Sequence, residues 1–451
     1  MTDTICALAT IPGGALGIIR VSGSSAFSIV SSVCSVHCDT ASPNTIHYAH
    51  IVNVEGEKKE TIDECMVSVF KAPRSYTGED MVEISCHGSR YILNKVIELL
   101  VHQGCRMAEP GEFTQRAYLN GKMDLCQAEA VADLIASSNR ATHLLAMSQL
   151  RGGISSKLAT LREHLLKLTS LLELELDFSD HEDLEFADRK DLRELAQTIE
   201  THITRLARSF EAGQALKQGI PVAIIGKTNV GKSTLLNALL KEERAIVSNI
   251  HGTTRDTIED TIDIKGVTFR FIDTAGIRNT TDEIEQIGIE RTYQAIAKAR
   301  IILWLFDEEP MAEEQTDILN RSEGHTLIPI RTKADLGFAN GHTVAGLTPL
   351  LISAKKGEGL DALESAIYES ANLPAFSEND VIVSNARHYE ALLRAHESIM
   401  RVIKGLSLGL SGDLLSEDLR LTLNHLADIT GGQITTPEVL SNIFKNFCVG
   451  K

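Results

Sequence analysis

The stretch Gly226 to Ser233 reads GKTNVGKS and lies between an apolar run, Pro221 to Ile225, and a helical stretch, Thr234 to Lys241. A strand, a glycine-bounded turn and a Lys-Ser pair opening a helix make up the phosphate-binding loop in the context it requires. Backbone N–H groups of such a turn and the positive end of the helix wrap a β-phosphate. Lys232 is placed to reach the β- and γ-phosphates, and the Ser233 hydroxyl to sit on Mg²⁺. A glycine turn that shared only the letters would not also sit between strand and helix.

At 451 residues and 43% hydrophobic content the chain has room for about three globular domains of roughly 150 residues. No apolar run approaches the roughly 18 residues of a membrane span, and Met-Thr-Asp-Thr lacks the basic start of a signal peptide, so no membrane and a cytoplasmic location are expected. Eight cysteines, seven of them before residue 127, show no paired spacing of a disulfide scaffold. Cys34, His37 and Cys38 resemble half a zinc site without a second half, and read as ordinary thiols. A net charge of -17 argues against a broad basic face for nucleic acid, so any RNA must be held by a local patch or a partner.

Up to about residue 118 short β-rich runs, Ile18 to Val21, Cys65 to Phe70 and Met81 to Ser85, mix with a helix over Tyr91 to His102. Arg20 and Glu83 each interrupt an apolar strand, and Lys122 lies in LNGKMDL just before a helix. On the residues alone, a charge at such a position belongs to a solvated face. From Leu125 the period becomes helical, and Leu158, Leu161, Leu165, Leu168 and Leu172 put five leucines on one seam. Further helices are expected over Arg189 to Leu216, His388 to Ile403 and Leu414 to Leu426. The simplest organisation is one helical domain (119–217 and 379–451) interrupted by an α/β domain (218–378), after an N-terminal domain (1–118); adjacent helical domains would look similar.

Between 218 and 378 the apolar runs 221–225, 267–272, 301–306 and 326–330 alternate with helical stretches, the doubly wound α/β pattern. Asp273-Thr274-Ala275-Gly276 follows the second run; Asp273 would support the Mg²⁺ shell through a water and the Gly276 amide would sense a γ-phosphate. Thr254, in HGTTRD, would close over Mg²⁺ in a loop that orders with the γ-phosphate. Thr332-Lys333-Ala334-Asp335 follows the run at 326–330, and a carboxylate there accepts the imino and exocyclic amino hydrogens of guanine, so Asp335 predicts GTP over ATP. Thr332 stands where asparagine is usual. Ser353-Ala354-Lys355 supplies a backbone contact to the guanine carbonyl. Ile277, after DTAG, cannot orient water, and Arg255 and Arg278 are candidate fingers that spacing does not assign.

GKTNVGKS, GTTRD and DTAGIR, with DTICALATIPGGALGIIRVSG, SYTGEDMVEISCHG, PGEFTQRAYLNGKMDLCQAEAVADLI and the terminal FCVGK, resemble the bacterial tRNA-modification GTPases of the MnmE (TrmE) family. The likeness runs from residue 4 to residue 451, and its end segments are not shared by other P-loop GTPases. It implies a multidomain α/β plus all-α protein: a tetrahydrofolate-binding N-terminal domain that makes a homodimer, a helical domain, and a GTPase domain inserted into the latter. It implies that a flavin- and NADH-dependent partner, MnmG (GidA), which carries FAD, acts with the protein to add a carboxymethylaminomethyl group to carbon 5 of the wobble uridine of certain tRNAs. A folate derivative, 5-formyl or methylene, is the implied one-carbon source. Arg20, Glu83, Lys122 and Lys451 would contact it. Cys448 beside the terminus is either a reactive thiol or an apolar anchor.

The resemblance also implies GTP hydrolysis stimulated by K⁺ and by pairing of the GTPase domains. Asn229, Ser248, Ile250 (through its carbonyl) and Thr253 would ligate K⁺, which supplies the charge an arginine finger gives elsewhere. Mg²⁺ would rest on Ser233 and Thr254. Glu285, in DEIEQIGIER, matches the water-orienting glutamate and, with Lys232, makes up the catalytic set. Nucleotide contacts would run over Asn229, Val230, Gly231, Lys232, Ser233 and Thr234, then Ser248, Asn249, Ile250, His251, Gly252, Thr253 and Thr254. They continue through Asp273, Thr274, Ala275 and Gly276, then Thr332, Lys333, Ala334 and Asp335, and finally Ser353, Ala354 and Lys355. Departures from the pattern are Thr332 for Asn, Ser248 for Thr, Thr228 for Pro and Ser89 for a second Gly. Two competing readings are a regulatory GTPase that binds a ribosomal particle, and a folate-dependent transferase acting alone.

Overall fold

A computed structural model describes residues 3–55, 58–177, 189–243, 260–272, 293–336, 343–373, 380–432, 440, 443–445 and 447–450. The chain divides into two compact units: Met1–Ala136 with Ala146–Arg205 and Glu390–Lys451, and Ser137–Leu145 with Leu206–Tyr389.

The first unit holds a six-stranded sheet of β1 (Ile5–Leu8), β2 (Leu16–Ser22), β3 (Thr45–Glu55), β4 (Lys58–Phe70), β5 (Met81–His87) and β6 (Arg106–Met107), in the order β3-β4-β5-β2-β1-β6. Ile19 and Val21 alternate with Ile18 and Arg20, and Val82 and Ile84 flank Glu83, so the apolar set of each strand turns to one face. That face packs on α1 (Ala26–Val33) and α2 (Arg90–His102) through Phe27, Val30, Leu93, Val96 and Leu100. On the other face Ile5 and Ala7 meet Ala108 and Phe113, the latter from α3 (Glu112–Leu119). Antiparallel register aligns Arg20 with Glu83, Glu83 with Ser68, and Ser68 with Ile46 in one row across four strands.

The helices that follow are α4 (Leu125–Ala136), α5 (Arg140–Leu150), α6 (Gly153–Asp177) and α7 (Arg189–Gln218). All five seam leucines of α6 are buried, the most exposed of them at 4%, as 3-4 spacing requires of one helical face. Later in the chain come α11 (Ala386–Ser407) and α12 (Gly412–Thr430); α12 packs on α6 and buries Leu415, Leu419, Leu426 and Ile429.

The second unit is built on β7 (Ile220–Ile225), β8 (Asp260–Ile264), β9 (Val267–Phe271), β10 (Ile301–Phe306), β11 (Thr326–Arg331) and β12 (Leu350–Leu351), ordered β12-β11-β10-β7-β9-β8. Every pairing is parallel except β8 with β9. All six residues of β10 are buried. Ile301, Leu303 and Leu305 face one core, shared with α8 (Lys232–Glu243) and α10 (Leu360–Ser370), while Ile302, Trp304 and Phe306 face the other, shared with Ala295, Ile296 and Ala299. A strand covered on both faces reads as a continuous apolar run, which is why period-2 alternation is missing there. Between β10 and β11 lies α9 (Ala312–Arg321). Among the described residues no helix is long and apolar enough to cross a membrane.

Candidate functional site

In the second unit the carboxyl ends of β7, β10, β11 and β12 converge on the turn after β7, the position where open parallel sheets bind ligands. Gly226 has φ +145 and a Cβ there would lie 2.3 Å from the Leu305 carbonyl, so the chain can leave β7 this close to β10 only as glycine. Asn229 (φ +63) and Gly231 (φ +99) are left-handed as well, giving the turn the curvature that points successive N–H groups inward. Lys232 opens α8, and its Nζ donates to the Gly226 and Lys227 carbonyls at 2.6 and 2.7 Å. Burial pushes its pKa down, the opposite direction to the pull a neighbouring anion exerts on an ammonium. Lys227 is held by Glu314 of α9 at 2.7 Å.

The residues expected to read a base gather at the same strand ends. Asp335 accepts from Ser353 Oγ at 2.9 Å, and the Ala334 N–H donates to the Ile352 carbonyl at 3.2 Å. The Ser353 hydrogen bond lowers the Asp335 pKa, keeping the carboxylate an acceptor for two N–H groups of a base. Lys333, at φ +57, reaches Asp307 Oδ2 at 2.6 Å. Asp307 is absent from the sequence reading, although an acid directly after the apolar run 301–306 was a usable sign. Thr332, which lacks the amide of the usual asparagine, sends its hydroxyl to the Val230 carbonyl in the phosphate turn at 2.7 Å. The Thr332 hydroxyl thus links base segment and phosphate turn.

The first unit carries a separate cluster. Arg20 Nε and Nη2 donate to Glu83 Oε1 at 2.9 and 2.7 Å, and Nη1 to the Gly450 carbonyl at 3.0 Å. Both side chains are largely covered, at 11% and 22% exposure, so the solvated face expected for lone charges in apolar strands is not where they lie. The Arg20 guanidinium sits 5.2 Å from the Tyr76 ring centre and 5.6 Å from that of Phe113. Tyr76 is pinned through its hydroxyl to Thr114 Oγ1 at 2.8 Å. Lys122 is placed apart from this pair by its own bond, Nζ donating to the Pro73 carbonyl at 2.9 Å. The C-terminal residues pack beside α3: Gly111 N–H donates to the Cys448 carbonyl at 3.3 Å, and Phe444 is buried with Leu125 and Ala128. Cys448 itself is exposed.

Next to this cluster, and unforeseen from the residues, lies an ion network centred on a buried arginine. Arg116, 1% exposed, bonds Asp3, Glu79 and Glu112, and Arg106 bonds Asp3 and Glu112. Ser22 Oγ joins Thr77 and Glu79 to it. The residues expected at 248–254 and 273–276, with Arg255, Ile277, Arg278, Glu285 and Lys451, lie outside the described residues.

Fold and strand-end turn together define a P-loop nucleotide-binding protein. Residues 4–122 match the family model described as "GTP-binding protein TrmE N-terminus", and residues 125–448 match that of the "MnmE helical domain". The tRNA modification GTPase MnmE of Phocaeicola vulgatus is 53% identical to this chain over 100% of it and 99% of the relative. Its namesakes in Bacteroides fragilis and Bacteroides thetaiotaomicron are 54% and 53% identical, each over 100% of this chain and 99% of the relative. The chain belongs to the MnmE family of tRNA modification GTPases.

Proposed function

We propose that this protein hydrolyses GTP and couples hydrolysis to modification of the wobble uridine of certain tRNAs. It adds a carboxymethylaminomethyl group to carbon 5 with a flavin- and NADH-dependent partner of the MnmG (GidA) type, in the cytoplasm. The observation that carries the reading is the strand-end assembly in which Lys232 curls over the 226–232 turn while Ser353 fixes the Asp335 carboxylate. Triphosphate on the turn takes over the Lys232 amine from the two backbone carbonyls, and guanine offers Asp335 its two N–H groups. Ser233 and Thr254 would hold Mg²⁺, and Asn229, Ser248, Ile250 and Thr253 would hold K⁺; hydroxyl and carbonyl oxygens of this kind suit such hard cations. When bound, these ions supply positive charge against the charge building on the phosphates. Glu285 orients the attacking water.

The described part of the N-terminal cluster fits a reduced folate: Glu83 and Arg20 present an acceptor and donors to a pterin edge, and Tyr76 and Phe113 provide flat apolar surface beside them. A folate held there would supply the one-carbon unit, and Lys122 and Lys451 would offer positive charge to its acidic tail. The exposed row Ile46, Tyr48 and Met66 on the same sheet supports a homodimer formed through this domain. In this reading the domain limits fall at 1–118, 119–217, 218–378 and 379–451.

The test is a reconstitution with the purified flavoprotein partner and unmodified tRNA, leaving out GTP, K⁺ or reduced folate in turn. Each omission is expected to stop modification, and Glu285→Ala to stop both GTP turnover and modification. Undiminished modification by Glu285→Ala would break the coupling.

A further inference from the structure

Thr332 is 6% exposed, and both polar neighbours of its hydroxyl are backbone carbonyls: Val230 at 2.7 Å in the phosphate turn and Phe306 at 3.4 Å at the end of β10. A hydroxyl has one proton to donate, and carbonyls can only accept, so that proton is already committed between them. An asparagine here would bring two amide protons, one for the loop carbonyl and one to spare for an acceptor, such as ring nitrogen N7, on a purine bound beside the base segment. Threonine has none left.

We propose that this protein reads guanine through its Watson–Crick edge alone, on Asp335, and leaves N7 unread, with Thr332 acting as a positioning strap between base segment and phosphate turn. The inference rests on the guanine reading given above. Two observations agree with it. The Asp335 carboxylate, the acceptor for the pair of guanine N–H groups that adenine lacks, is fixed by Ser353 Oγ at 2.9 Å and so is preorganised without help from residue 332. The strap itself is buried, where a hydroxyl turned away from Val230 would leave a carbonyl with one acceptor site unfilled.

The experiment is calorimetric titration of the full chain with GDP, 7-deaza-GDP and ADP. Replacing N7 by C–H removes the acceptor and keeps the Watson–Crick edge. GDP and 7-deaza-GDP are expected to bind within about twofold of each other, whereas one lost neutral hydrogen bond is worth about two- to tenfold. Thr332→Asn is expected to create a preference for GDP over 7-deaza-GDP of about three- to tenfold. Thr332→Ala, which cuts the strap, should weaken both guanine ligands equally. A loss of about fivefold or more for 7-deaza-GDP in the unaltered protein would overturn the proposal. GDP binding no better than ADP would instead remove the guanine reading, and this inference with it.

Discussion

Arg20 on β2 stands opposite Glu83 on β5, and two of its donors converge on the single oxygen Oε1 of that carboxylate. Its remaining reach is to the Gly450 carbonyl, so one guanidinium ties the sheet to the last described residue of the chain. Removing Glu83 strands a cation that is 11% exposed. Glu83→Ala is expected to cost about 1–3 kcal/mol in stability and to lower affinity for a reduced folate by about tenfold or more. Glu83→Gln, which keeps one acceptor, should fall between. Denaturant unfolding and a tetrahydrofolate titration measure the two effects; folate affinity unchanged in both variants contradicts the assigned site.

Gly450 has φ +89, and a Cβ there would lie 2.5 Å from the Leu8 carbonyl and 2.9 Å from Ala9 Cα, both backbone atoms that cannot swing aside. Gly450→Ala should therefore unseat the terminus from β1 at a cost of about 1–3 kcal/mol. Carboxypeptidase digestion is expected to trim the variant faster than the unaltered chain. Equal trimming rates would show that the terminus is not held this way.

Glu112 is 3% exposed. Burial works to raise its pKa, but hydrogen bonds from Arg106, the Glu109 N–H and Arg116 outweigh burial and hold the carboxyl below its usual range. Asp3, bonded to Arg106, is shifted the same way. A carboxyl lowered by folding contributes stability that is complete above its unfolded value of about 4.3 and is lost as pH falls through the folded value. The first unit should thus lose stability on acidification below about pH 4. Glu112→Gln should start less stable at neutral pH and lose less between pH 5 and pH 3, read from urea midpoints at each pH; parallel curves for the two proteins would contradict the network's role.

Much of this architecture was open to reading because it is local. The 3-4 leucine spacing of α6 and the continuous apolar run of β10 each state their burial in their own residues. The turn at 226–233 carries its glycines and lysine together. Other features depend on register between distant segments. Arg20 and Glu83 each looked like a lone charge on a wet face, and only the β2–β5 pairing brings them together. Arg116 draws its partners from residues 3, 79 and 112, a convergence with no period to betray it. The edge strand β8, Asp-Thr-Ile-Asp-Ile, escaped notice because only Ile262 and Ile264 are buried in it, too short an alternation to stand out. Thr332 was visible as a departure, but the carbonyl that occupies its hydroxyl comes from a turn about a hundred residues earlier.

In the function proposed above, an alkali cation beside Asn229 takes the place of an arginine finger. GTP turnover by the full chain, measured in K⁺ and in Na⁺ at equal ionic strength, tests it most directly. Turnover is expected to be about tenfold or more faster in K⁺, with the advantage lost in Asn229→Ala. Equal rates in the two salts would contradict it.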